Sequence, residues 1–239
     1  AASDVYKRQI KGQTLNIMEK DIQLMAQIED VSAVSKTILG KAVIQNGNKT
    51  EFAEIIGVDN EFKNVILFDS IMVVGSFSKL NDYTSYTSSS LSEKLDLTLY
   101  NSSGEYLIST ISSDYLNFFI QPFSNSKRLI SNGVFRTRND DNENRIIVSL
   151  PFASELFGYK KNTYSEILLR TNGDPEVIKD EIESVFPDYS VLTHKEQNET
   201  LYKIMQSERL VITAIMFFIV LISAFNVIAA VSMLSLIHI

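Results

Sequence analysis

Few side chains in this sequence could carry out covalent chemistry. It contains no cysteine and two histidines, which excludes disulfides and thiol chemistry and leaves a zinc site short of ligands. His194 falls at an expected strand–helix junction, with no serine or cysteine nucleophile motif beside it. Asp140, Asp141 and Glu143 cluster in the acidic turn Asn139–Asn144, and hard oxygen donors of this kind could hold calcium. The turn lacks the spacing and the glycine of an EF-hand loop, so a solvated turn is the plainer reading. Glu181 and Glu183 fit a solvated helix face. The serine-rich tract Asn81–Ser92 reads as a surface loop or helix entry, with a ligand-recognition loop as the alternative. The expectation is therefore no catalytic residue, no cofactor and no metal. With a net charge of -7 and a pI near 5.0, nucleic acid is not an expected partner.

The stretch that organises the chain is Leu210–Leu234. It has no charge, no proline and no glycine, and its polar residues are Thr213, Ser223, Asn226 and Ser232. A bilayer core takes roughly 20 apolar residues in a helix, so this stretch can span one with room for tilt. Lys195–Arg209 is helical in pattern and polar, and it runs into the apolar stretch without a breaker. One continuous helix is expected, with Glu208 and Arg209 at the water interface.

Upstream, Leu15, Met18, Ile22, Met25 and Ile28 mark the apolar face of a helix. A strand from Val31 to Ile44 and another from Thr50 to Val58 flank a hairpin turn at Asn46-Gly47-Asn48. Ile71–Gly75 reads as a short buried strand. Leu95–Tyr100, Glu105–Ile111, Tyr115–Gln121 and Arg128–Phe135 read as further strands, with a turn at Asn101–Gly104. From Arg145 the pattern changes. Arg145–Ser149 is a strand, and Pro151–Phe157 is a helix that Gly158 ends. Tyr164–Arg170 is a second strand. Asn172-Gly173 turns the chain, and Asp174-Pro175 opens a helix whose apolar face is Ile178, Ile182, Val185 and Phe186. Tyr189–Leu192 is a third strand, so this part reads as an α/β unit. The segments 1–9 and 234–239 read as translated sequencing-adaptor sequence, so the gene is expected to extend past both ends.

The order Ser131-Asn132-Gly133-Val134-Phe135, acidic turn, Ile146–Tyr159 (IIVSLPFASELFGY), Glu166–Arg170, Lys195–Arg209 and an apolar helix with Phe225-Asn226 resembles a known family. It is similar to the permease subunits of lipoprotein-releasing ABC transporters, the LolC/LolE group of the FtsX-like and MacB-like permeases, in a Bacteroidetes-like form. The resemblance covers roughly residues 12–233 and is densest from Ser131 onward. It implies an α+β fold, with a split periplasmic α/β lobe (12–68 and 138–200), an inserted β-rich lobe (70–137), and a C-terminal transmembrane helix (209–233). The periplasmic domain would then span 10–208. The resemblance also implies a bacterial inner-membrane location and further transmembrane helices before and after this piece. The implied partners are a separate cytoplasmic ATPase subunit, a second permease copy or paralogue, membrane lipid, lipoprotein cargo and a periplasmic carrier. Phe225 and Asn226 would pack the membrane helix against another. The charges flanking the helix do not orient it, because only one flank is present. The rival class is the extracytoplasmic sensor domain of a receptor such as a histidine kinase, which would continue into a signalling linker.

Overall fold

The computed structural model describes residues 5–7, 15–66, 68–78, 80–97, 105–111, 123–136, 143–187, 191–193, 196 and 199–237. The expected features at Asn101–Gly104, Tyr115–Gln121, Asp140, Asp141 and His194 lie outside them, as does half of each of Leu95–Tyr100 and Tyr189–Leu192. The chain divides into two compact units, Ala1–His194 and Lys195–Ile239.

The strands of the first unit are β1 (Val5–Lys7), β2 (Leu15–Asn16), β3 (Val31–Asn46), β4 (Lys49–Val58), β5 (Met72–Val74), β6 (Thr84–Ser88), β7 (Glu105–Ile111), β8 (Phe123–Phe135), β9 (Arg145–Ser149), β10 (Thr163–Tyr164) and β11 (Glu166–Thr171). Among the described residues its α-helices are α1 (Glu19–Met25), α2 (Phe62–Val65), α3 (Ser89–Lys94), α4 (Leu150–Leu156) and α5 (Pro175–Val185), with one turn of 3-10 helix at Phe68–Ser70. The second unit is α6, Glu199–Ile237.

Nine strands form one sheet in the order β1-β11-β3-β4-β9-β6-β8-β5, with β7 bonded to both β3 and β8. The pairings therefore close a ring, β3–β4–β9–β6–β8–β7 and back to β3. Two long strands make this possible. β3 holds β11 along Val31–Thr37 and β7 along Val43–Gln45, while β8 holds β7 with its first half and β6 with its second. β4 and β9 run parallel, with Ile55 opposite Ile146. Strands contributed by 12–68, 70–137 and 138–200 thus share one sheet.

Alternation along the strands gives two cores. One is mostly aliphatic and includes Ile44, Ile55, Ile108, Leu129, Ile146 and Val148. Helices cover it through Ile22 and Met25 of α1, Leu91 of α3, Phe152 and Leu156 of α4, and Ile178 and Ile182 of α5. Two glycines let α4 sit close to the sheet: a Cβ on Gly57 would overlap Ala153, and one on Gly40 would overlap the Phe157 ring. The second core is aromatic. Phe62, Phe68, Tyr86 and Phe135 are buried there with Val65 and Ile147. Phe68 lies 4.6 Å from Phe77 and 5.5 Å from Phe135, centroid to centroid, in the tilted geometry that aromatic rings favour.

Local signals account for the turns. Gly47 adopts φ +58° between the paired ends Asn46 and Lys49, a position that penalises any side chain. Gly158 (φ +67°) follows α4, and Tyr159 N bonds to Ser154 O at 2.8 Å while Gly158 N bonds to Glu155 O at 3.2 Å, which satisfies the last carbonyls. Asp174 caps α5 by accepting from Glu176 N at 3.1 Å.

Five expectations are corrected. The polar tract Asn81–Ser92 is a helix entry at its end, where Ser88 caps α3, but it is not a surface loop. Its centre is β6, where Ser85, Thr87 and Ser88 are all 0% exposed. Burial is tolerated because each hydroxyl is bonded. Ser85 Oγ donates to Ile130 O (3.0 Å) and accepts from Tyr106 (2.7 Å), Thr87 meets Ser131 at 3.0 Å, and Ser88 Oγ donates to Glu143 O at 3.0 Å. The helix expected from Leu15 starts later, at Glu19. Leu15–Asn16 pairs with β10, which keeps the chain extended through Met18, so Ile17 is buried and Met18 exposed. Met72–Val74 is a strand but not a buried one: with β8 as its sheet neighbour, it leaves Val73 and Val74 exposed. Leu95 ends α3 rather than opening a strand, although Leu95 and Leu97 are both buried. Val185 belongs to α5 but is exposed, so the apolar face of that helix is narrower than its spacing suggests.

Candidate functional site

Two places in the molecule could do work: the apolar helix, and a cleft in the first unit.

In α6 the span Lys203–Met233 has the length and composition to cross a membrane, and none of it is buried. The helix is unbroken over 39 residues, about 58 Å at ~1.5 Å per residue, against a hydrocarbon core of about 30 Å. Its polar residues behave differently from one another. Thr213 donates to Arg209 O at 2.8 Å and Ser223 to Ile219 O at 2.9 Å. Both therefore satisfy their hydroxyls within the helix, as a lipid environment demands. Asn226 does not: among the described residues nothing pairs with its carboxamide, and it is exposed. Phe225 beside it is 64% exposed. The two expected packing residues are thus adjacent on one helix and both face outward.

The cleft has a volume of about 590 Å³. One wall is the end of β4 and the start of α2, at Val58, Asp59, Glu61 and Lys63; the other is the segment after β5, at Phe77, Ser78, Leu80 and Asp82. Ser149, Leu150 and Pro151 form the floor, where β9 passes into α4. Both walls are fixed by hydrogen bonds. Asp59 accepts from Ser35 Oγ (2.7 Å), Lys36 N (3.0 Å) and Glu61 N (3.2 Å). Tyr86 accepts from Ser78 N at 2.8 Å, and its hydroxyl lies 3.2 Å from Ser76 O. Ser149 caps α4 through Phe152 N (3.2 Å) and donates to Asp82 Oδ1 (2.9 Å), tying floor to wall.

Lys36 reaches out of the cleft to Glu19 at 3.0 Å. Partial burial alone would lower its pKa, but the hydrogen bond and charge of Glu19, with help from Asp59, outweigh this and raise it. Burial raises the pKa of Tyr164, partly offset by the nearby Lys36. Burial likewise pushes Tyr106 far up, against a smaller opposing effect from Ser85.

Of the cleft residues, Asp82 lies in the tract Asn81–Ser92, for which a ligand-recognition loop was the alternative reading, and Ser149–Pro151 lie in the Ile146–Tyr159 motif; the others were not singled out from the sequence. The cleft residues come from four separate segments, and the hint available was an acidic strand end at Asp59-Asn60. Of the carboxylates considered for chemistry, Glu183 is not merely solvated, since it accepts from Val191 N at 3.0 Å. Among the described residues there is no group of three or more metal-ligating side chains.

No family model matches the chain. It is 23% identical over 210 residues to the lipoprotein-releasing system transmembrane protein LolC of Buchnera aphidicola subsp. Schizaphis graminum, an overlap of 87% of this chain and 51% of that protein. The chain thus spans about half the length of that curated relative. Among solved structures it resembles the periplasmic region of MacB from Actinobacillus actinomycetemcomitans (TM-score 0.55, 10% identity, 84% of this chain and 92% of that one). It also resembles the extracellular domain of the noncanonic ABC-type transporter YknZ from Gram-positive bacteria (TM-score 0.53, 12% identity, 80% and 98%). The resemblance seen in the residues therefore holds: the chain is similar to a LolC-type transmembrane protein, and its strand-rich unit has the α+β fold of a MacB-like extracytoplasmic domain.

Proposed function

We propose that this chain is part of the permease subunit of an ABC transporter. Its strand-rich unit lies outside the cytoplasm, in the periplasm of a bacterium with two membranes, and α6 crosses the inner membrane. In this reading the boundaries are those of the resemblance, with 10–208 as the periplasmic domain and 209–233 as the span. The permease binds no nucleotide. A cytoplasmic ATPase subunit supplies the energy, and a second permease copy or paralogue completes the membrane part. The work done is the release or export of lipoproteins or a similar substrate to a periplasmic carrier.

The observation that carries this reading is the unbroken helix Glu199–Ile237, which follows a MacB-like domain and changes from polar to apolar without a break. A helix of that kind is stiff and can pass movement from a membrane complex to the domain before it. Asn226, with its carboxamide unpaired on this helix, would bond across to a neighbouring helix. The test uses the full-length parent protein with its co-encoded ATPase in proteoliposomes holding a labelled lipoprotein. ATP-dependent release to an added carrier is expected. Glu208→Pro, which breaks a helix interior at about 3 kcal/mol, should abolish release while leaving the ATPase bound. A full-length parent that binds no ATPase subunit would sink the reading.

A further inference from the structure

The cleft sits at a particular point of the topology. β4 and β9 are parallel neighbours. β4 hands the chain to α2, whose Phe62 and Val65 pack on the aromatic core. β9 hands it to α4, whose Phe152, Ala153 and Leu156 pack on the aliphatic core. Adjacent parallel strands whose successors leave to opposite faces open a gap beyond their carboxyl ends, and α/β sheets take ligands there. The cleft of about 590 Å³ opens at that gap, and its volume is within the range of roughly 300–1,000 Å³ typical of small-molecule sites.

We propose that this cleft binds an amphipathic organic cation. Its charged lining is Lys36, Lys63, Asp59, Glu61 and Asp82. Lys36 is shared between Glu19, outside the cleft, and the charge of Asp59, so with Lys63 the lining sets three carboxylates against two ammonium groups, one of them partly claimed from outside. Asp59, Glu61 and Asp82 are committed in part to Ser35, Asn64 and Ser149, yet an ionised carboxylate offers about four acceptor positions, so each keeps capacity for a charged donor. Val58, Phe77, Leu80, Leu150 and Pro151 supply the apolar surface that receives the body of the ligand. An anion would meet the wrong charge, and a neutral molecule would forgo the carboxylates. This inference does not depend on the transport reading.

The test uses the full chain in lipid nanodiscs with benzamidine as the probe, and benzoate and benzamide as its anionic and neutral counterparts. Binding is read from the methyl resonances of Val58, Leu80 and Leu150 at low salt. Benzamidine should shift them saturably, and the two counterparts should not. Glu61→Gln and Asp82→Asn should each weaken benzamidine by about three- to tenfold, the size expected for one charge at short range near a surface. Because Asp82→Asn also disturbs the bond to Ser149, Lys63→Glu serves as an independent check and should tighten binding by a similar factor. Equal binding of benzoate, or benzamidine affinity unchanged in both Glu61→Gln and Lys63→Glu, would overturn the proposal.

Discussion

The two faces of the sheet are built on different physical terms. The aliphatic face is large, carries most of the helices and depends on close fit, with α4 resting on two glycines. Beneath it runs a seam of paired hydroxyls from Ser85, Thr87, Ser131 and Tyr106. The aromatic face is smaller, and much of its cover is the segment from Val65 to Leu80, held by rings and by one tyrosine hydroxyl. The first face makes the domain stable. The second face, with fewer layers over it, leaves room for the cleft where the two meet.

That contrast can be broken or sharpened by substitution. The largest effect is expected at the centre of the aliphatic face, where Ile146→Ala should cost about 4 kcal/mol in chemical denaturation. Phe68→Ala on the aromatic face should cost about 3 kcal/mol; a larger loss there than at Ile146 would reverse the ranking of the faces. Gly57→Ala tests close fit alone, because it adds a methyl where Ala153 already sits. It should cost about 2–3 kcal/mol, whereas Gly40→Ala should cost less because the partly exposed Phe157 ring can swing aside. Tyr86→Phe keeps the ring and removes the bonds to Ser78 and Ser76. A loss of only about 1 kcal/mol is expected, with faster amide exchange confined to Ser76–Asp82, and exchange that rises evenly across the domain would contradict the local role given to this hydroxyl. The smallest effect is alkaline. Lys36 has a raised pKa in the folded state, so its contribution is complete below the ordinary lysine value of 10.5 and is lost as pH climbs through the folded value. Lys36→Gln should therefore flatten the stability profile above about pH 10.5 without abolishing its fall, since Tyr106 and Tyr164 are raised too and act with the same sign.

The parts of this fold that could be read from the sequence were those where one residue settles the backbone or one composition settles the solvent. Gly47 and Gly158 marked their turns because few other residues accept positive φ. Asp174-Pro175 marked a helix start, and Leu210–Leu234 marked a span. The residues that misled were those whose partners are distant. Ser85 and Thr87 are polar by composition and buried in fact, because Ile130, Ser131 and Tyr106 meet their hydroxyls across the sheet. Met18 and Ile17 exchanged roles because β10, about 150 residues later in the chain, holds Leu15–Asn16 extended. The cleft was illegible for the same reason, since Lys36, Asp59, Asp82 and Ser149 share no local pattern. On α6, Phe225 and Asn226 could be picked out as the polar–aromatic pair in an apolar run.

The closed ring of strands also has a consequence for how the chain is made. The β3–β4 hairpin can form as soon as it is synthesised, but the other edge of β4 is completed by β9, with Glu54 and Arg145 91 residues apart. At roughly 5–20 residues per second, that edge stays open for about 5–20 s on a growing chain. Over that interval the unpaired backbone of Glu54–Val58 is a sticky strand, flanked by the exposed ring of Phe52. The nascent protein therefore passes through a window in which a chaperone, or another copy of itself, competes with its own later strand for the same row of hydrogen bonds.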